Sequence, residues 1–256
     1  MTVFDAVVLG IVEGITEFLP ISSTGHLILT SELLHIVETD FVKTFIIVIQ
    51  LGAILAAAVL YWRRLVLDSR TLAITIAAFV PTGVIGFVLY KIVKGFLGHP
   101  AIVLWSLLVG GVLLLVIEWA LRGRQARVHE VRDISYSQAV VIGTCQALSM
   151  IPGVSRSAAT IMTGLLLGVD RRAIVEFSFI LAIPTMIVAS AYEIYKTRGE
   201  MTLAQFDLLA LGFGVAFVLA ILAIKFLLRF VQTHTFNAFG VYRIIAAIAF
   251  WLIVLR

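Results

Sequence analysis

Apolar stretches long enough to cross a bilayer recur along this chain, with short polar punctuation between them. Runs such as Phe45–Leu60 and Ala101–Ile117 are almost unbroken. A helix of roughly 20 apolar residues crosses the hydrocarbon core and satisfies its own backbone there. The pattern predicts spans at about 41–61, 72–91, 101–121, 173–192, 205–228 and 236–255. Pro81 and Pro184 fall inside spans and are expected to kink them.

Two stretches interrupt this pattern. Residues 2–36 hold a first short helix, a break at Leu19-Pro20-Ile21-Ser22-Ser23, and a second helix from about Thr24. Residues 135–168 hold a similar pair around Pro152-Gly153. None of these helices is long enough to span, so each pair reads as a re-entrant hairpin. Irregular backbone is tolerated at membrane depth only under the cover of protein or water.

The two stretches match each other at an offset of 133: Gly10 with Gly143, Glu13 with Gln146, Thr16 with Ser149, Ser22 with Ser155 and Thr24 with Ser157. The prolines Pro20 and Pro152 miss by one position. The expected fold is therefore an all-α polytopic membrane protein in two halves. Residues 1–121 form the first, 122–133 a basic linker, and 134–256 the second, within a single membrane domain. Each half is a hairpin plus three transmembrane helices. An odd number of crossings turns the second half upside down, giving an inverted repeat with its site near the midplane.

Composition agrees with the class. Of 256 residues, 61% are hydrophobic and 13% charged, about half the charged share usual in soluble domains. The net charge of +4 is small and lies in short loops, which reports topology and gives no sign of nucleic-acid binding. Cys145 is the only cysteine, so no intrachain disulfide can form, and it reads as a packing residue. Met1–Pro20 lacks Lys and Arg and carries Asp5, Glu13 and Glu17, unlike a cleavable signal peptide.

Loop charges suggest the orientation. The face opposite the N-terminus receives Arg63, Arg64, Arg70, Arg122, Arg124, Arg127, Arg132, Arg171, Arg172, Lys225 and Arg229. The N-terminal face receives Lys43, Lys91, Lys94, Lys196, Arg198 and Arg256. The positive-inside rule puts the first set in the cytoplasm and turns both termini and the first hairpin's mouth outward. Trp62, Trp105, Trp119 and Trp251 fall near span ends and read as interfacial anchors.

The chemistry concentrates at the two breaks. Glu13 and Glu17 lie one turn apart on one helix face. Such a pair suits a hard divalent cation, Mg²⁺ or Ca²⁺, or an acid/base role, against a plainer reading as carboxylates facing a wet cavity. Ser22, Ser23, Thr24 and His26 open the next helix, where free amides favour an anion. Ser22 or Ser23 would also serve as a simple N-cap. Ser23 and His26 are both candidates for the attacking group, with His26 slightly favoured because serine needs a base. A water activated by the cation, with His26 as its base, is a third option.

At the second break Ser155, Arg156, Ser157 and Thr160 form a cradle in which the Arg156 fork fits phosphate oxygens. Arg156 could instead be the structural partner of Glu13 or Glu17. Gln146 stands where the first half has Glu13, so the combined site is asymmetric. Together the tips suit phosphoryl transfer.

Three segments carry a resemblance to a known family. Glu13 to His26 (EGITEFLPISSTGH), Pro152 to Thr160 (PGVSRSAAT) and Phe45 to Leu55, with Ile49-Gln50-Leu51-Gly52-Ala53, resemble the undecaprenyl-diphosphate phosphatases associated with bacitracin resistance. The resemblance covers the whole chain. It implies hydrolysis of undecaprenyl diphosphate to the monophosphate carrier of cell-wall synthesis, in the bacterial inner membrane, with the site opening to the periplasmic or outer face. It also implies dependence on a divalent cation, with Glu13 and Glu17 as metal or acid/base residues, Ser23 or His26 as nucleophile, and Arg156 as phosphate clamp. The expected partners are the polyprenyl diphosphate and membrane lipids, with a homodimer as one option. The competing class is transport, as a polyprenyl-phosphate flippase or an anion carrier on the same repeat.

Overall fold

A computed structural model describes residues 1–94, 99–197 and 205–254. The described residues form α-helices with two single 3-10 turns and no strand. Helix α1 (Val3–Thr16) begins with a capping box in which Thr2 and Asp5 bond each other's backbone amides. A turn leads to α2 (Ser23–Leu33). At about 1.5 Å per residue neither helix reaches across a bilayer. Then come α3 (Asp40–Leu67), α4 (Ser69–Lys94) and α5 (Pro100–Ala120). The second half repeats the order. Helix α6 (Tyr136–Gln146) opens with its own capping box from Ser135 and Gln138, and α7 (Arg156–Leu166) follows the break. Helices α8 (Arg171–Thr197), α9 (Phe206–Phe230) and α10 (Asn237–Val254) complete the fold.

The long helices start and stop within a few residues of the predicted spans. Five of them, α3, α4, α5, α8 and α9, are long and apolar enough to cross a membrane, which makes this a polytopic helical membrane protein. The apolar part of α10, Asn237–Ile253, is shorter. Pro81 and Pro184 both lie inside continuous helices. Arg198 and Arg256 of the loop-charge count lie outside the described residues, as do the side chains of Lys91 and Lys94.

Helices α3 and α8 are the most enclosed spans, with 56% and 67% of their apolar windows buried, against 22% for α4 and α5. They form the centre, and the others turn apolar faces outward. Phe18, in the first break, packs edge-to-face on Phe179 of α8 at 5.3 Å, so the break is fixed against this centre. Helix α1 packs on α9 and α6 on α4, while α5 pairs with α10. The close crossings rest on small residues: a side chain at Gly143 would run into the Ala78 backbone, and one at Gly14 into the Ala216 carbonyl.

The linker is fastened rather than loose. Val128 and Val169 form a parallel bridge, with Arg127 N donating to the Gly168 carbonyl at 2.8 Å and Asp170 N to the Val128 carbonyl at 2.8 Å. Nearby, buried Glu118 of α5 accepts both prongs of Arg171, at 3.1 and 2.5 Å, and the Phe236 amide at 2.9 Å. This one carboxylate ties together α5, α8 and the approach to α10.

Candidate active site

The two breaks meet in a cavity of about 240 Å³. Its walls include Glu17, Ser22, Ser23 and Thr24 from the first break, and Gly153, Ser155 and Arg156 from the second. Both breaks turn on the same backbone device. Ser22 (φ 73°) and Ser155 (φ 74°) adopt positive φ and use their hydroxyls to cap the amides three residues on, Gly25 and Ala158. Non-glycine residues seldom take such angles, and they persist where the surroundings over-determine them. Gly153 has φ 92°, and a side chain there would meet the Val103 carbonyl, so the second tip passes close against α5 only because this residue lacks one.

Within the cavity, Ser23 Oγ donates to Glu17 Oε2 at 2.5 Å. The other carboxylate oxygen accepts from Arg156 Nη2 at 3.4 Å. Arg156 Nη1 donates to the Ser178 carbonyl at 3.0 Å, while its Nε is buried with no partner. The guanidinium lies 5.6 Å from the Phe18 ring centre. Glutamate, hydroxyl and guanidinium therefore form one connected group from both halves, and the arginine keeps N–H donors in reserve. The predicted ion pair and a phosphate clamp are compatible here.

Glu13 is fully buried one turn behind Glu17 and interacts electrostatically with both Glu17 and Arg156. Its Oε2 has no hydrogen-bond partner. Gln146, its counterpart at offset 133, is equally buried, and its amide donates to Thr82 and Thr185, each at 3.1 Å. Gln146 Oε1 is left unpartnered. Thr82, Thr185 and Gln50 extend the cavity into an uncharged polar lobe.

The family described as Bacitracin resistance protein BacA matches residues 6–249. The chain belongs to this family. It is similar to a protein of Sulfurihydrogenibium sp. (strain YO3AOP1) named "Undecaprenyl-diphosphatase", 50% identical over 252 residues covering 98% of this chain and 99% of that one. Proteins of the same name from Wolinella succinogenes and Aquifex aeolicus (strain VF5) are 48% and 47% identical, each covering 98% of this chain and 97% and 98% of their own.

In this BacA-family chain the remaining predicted residues are used differently. His26 does not line the cavity. Its Nδ1 donates to the Ser22 carbonyl at 2.7 Å, and its Nε2 meets the Tyr242 hydroxyl at 2.7 Å, with the two rings stacked at 5.5 Å. A carbonyl only accepts, so the Nδ1–H tautomer is required and Nε2 is taken by tyrosine. Ser157 and Thr160 are buried behind the cavity wall, with Ser157 Oγ 3.1 Å from Ser155 Oγ. Ser157 Oγ donates to the Leu19 carbonyl at 2.8 Å, joining one tip to the other, and Thr160 meets Ser178 at 2.6 Å.

Sequence reasoning missed one central residue. Arg243 of α10 is fully buried and donates to carbonyls of Ser106, Leu107, Pro20, Gly153 and Val154 at 2.8–3.3 Å. It staples both tips to α5. An arginine inside an apolar helix was the available signal. Gln50 stood out only through the family resemblance, while Thr82 and Thr185 were hidden behind prolines read as kinks.

The donor set fits a hard divalent cation. Among the described residues no cluster of three or more His, Cys, Asp or Glu side chains could hold a metal by itself. Magnesium commonly takes one or two carboxylates and completes its shell with substrate phosphates and water. The unpartnered Glu13 Oε2 beside Glu17 meets that description.

Proposed function

We propose that this chain hydrolyses undecaprenyl diphosphate to undecaprenyl phosphate and inorganic phosphate, recycling the lipid carrier of cell-wall synthesis. The full-length similarity to proteins named for that activity supports the reaction class. The observation that carries the chemistry is the Ser23–Glu17–Arg156 group, a hydroxyl on a carboxylate with a cationic fork beside it.

Ser23 Oγ attacks the terminal phosphorus, and its proton passes to Glu17 Oε2. The bond from phosphorus to the bridging oxygen breaks, and its electron pair leaves with the lipid phosphate, which takes up the proton. Glu17 then accepts a proton from the water that attacks the serine phosphate. The P–Oγ bond breaks with its electron pair on Ser23 Oγ, which takes that proton back from Glu17, and inorganic phosphate leaves. Arg156 grips the non-bridging oxygens as their charge rearranges. His26 anchors the Ser22 carbonyl and so orients the turn that presents Ser23. A cation on Glu13 and Glu17 would neutralise diphosphate charge when bound. The uncharged lobe receives the lipid-linked phosphate.

The same reading takes residues 1–121 and 134–256 as inverted repeats about the linker. The matched turns at Ser22 and Ser155, and the packing of α1 on α9 and of α6 on α4, each on a span of the other half, support it. The loop charges support a cytoplasmic linker and an outward-facing site in the bacterial inner membrane. An Arg127→Cys protein should then resist membrane-impermeant maleimide in intact cells, and rapid labelling would reverse the orientation.

The test of the activity is phosphate release from undecaprenyl diphosphate by the purified protein in detergent, where transport cannot be seen. Release should stop with EDTA and return with Mg²⁺ or Ca²⁺. No release under any metal condition would favour the transport reading, and full release in metal-free buffer would remove the cation.

A further inference from the structure

A second cavity, of about 740 Å³, lies apart from the one that Ser23 lines. It lies between the linker and the C-terminal end of α7, whose N-terminal end borders the Ser23 cavity, and it is in the size range of ligand pockets. Arg124, Arg127 and His129 line one wall, and Leu165, Leu166 and Leu167 the other. Arg171 also reaches it but is paired with Glu118, and Asp170 is engaged with the Arg172 amide at 2.9 Å. The guanidinium groups of Arg124 and Arg127 are exposed and make no ion pair or hydrogen bond among the described residues.

We infer that this cavity binds the phosphate headgroup of an anionic phospholipid, with an acyl chain laid along Leu166. Three observations carry this beyond a scatter of surface charge. The basic wall is held in place, because Arg127 and Val128 are bonded to Gly168 through the backbone. The facing wall is apolar, and Leu166 is 58% exposed, which suits an amphiphile better than a free anion. The cavity also sits where α5 ends and α8 begins, beside Trp119, which is 70% exposed, so it lies at the level of lipid headgroups. Basic pockets at the ends of membrane helices are suited to anionic headgroups.

The test uses the full-length protein in detergent, with bound lipid counted by native mass spectrometry. Phosphatidylglycerol should be retained in preference to phosphatidylcholine of the same chains, and millimolar inorganic phosphate should not displace it. Arg124→Gln with Arg127→Gln should weaken phosphatidylglycerol binding roughly 30-fold, about fivefold per charge. Both residues are exposed, so an unchanged melting temperature will show that the variant is folded. Equal retention of the two lipids, or wild-type retention by the double variant, overturns the site. Displacement by inorganic phosphate overturns the lipid and leaves a free-anion site.

Discussion

The turn after α1 presents an acid and a hydroxyl, whereas the turn after α6 presents an amide and a guanidinium. They share one backbone device, Ser22 at φ 73° and Ser155 at φ 74°, each capping the amide three residues on. At offset 133 Glu13 faces Gln146, Thr24 faces Ser157 and Ser23 faces Arg156. The same local device thus carries an attacking hydroxyl in one half and a charge clamp in the other. Two carboxylate-bearing tips would repel each other in a dry cavity, and two cationic ones would offer no nucleophile. Differences at a few positions turn a repeated scaffold into a site with complementary sides.

The sharpest way to break this comparison is at its paired centre. Ser23→Ala should lower kcat by about 10³-fold or more, as loss of a nucleophile does. Ser155→Ala removes a cap, worth about 1 kcal/mol of stability, and should cost at least tenfold less activity than Ser23→Ala. Equal losses would mean that the turns share one role. Arg156→Ala should lower kcat and kcat/KM by about 10²-fold or more, with Arg156→Lys intermediate because it keeps charge without the fork. A stable Arg156→Ala protein with normal kcat would remove the clamp.

A smaller effect is expected where the tips are joined. Arg243→Lys leaves three donors for carbonyls that now receive the whole guanidinium. Each buried carbonyl stranded costs about 1–3 kcal/mol, so the melting temperature should fall by several degrees while KM changes little. An unchanged melting temperature would show that the tips are held without it. The smallest effect concerns His26. Tyr242→Phe should change kcat by no more than about fivefold, the worth of one neutral hydrogen bond. A much larger loss would return His26 to the chemistry.

Much of this was legible in the sequence, for a physical reason. Glu13, Glu17, Ser23 and Arg156 are costly in hydrocarbon, so their presence beside Pro and Gly breaks marks them. Span positions follow equally directly from apolar run length. What could not be read was which hydroxyls face the cavity. Ser157 and Thr160 look like Ser155 on paper, but they are spent on the Leu19 carbonyl and on Ser178. Thr82 and Thr185 look like ordinary span residues, yet the fold brings them together on Gln146. Rotation of a helix about its axis decides such cases, and a largely apolar sequence carries little signal for it.

The central claim is that Ser23, activated by Glu17, attacks the terminal phosphate. The direct measurement is a trap of the enzyme during turnover of substrate labelled at that phosphate, with parallel acid and alkaline quenches and mapping of the labelled peptide. The account predicts an acid-stable phosphoserine at Ser23 that is absent from Ser23→Ala. An acid-labile phosphohistidine at His26, surviving only the alkaline quench, would contradict it.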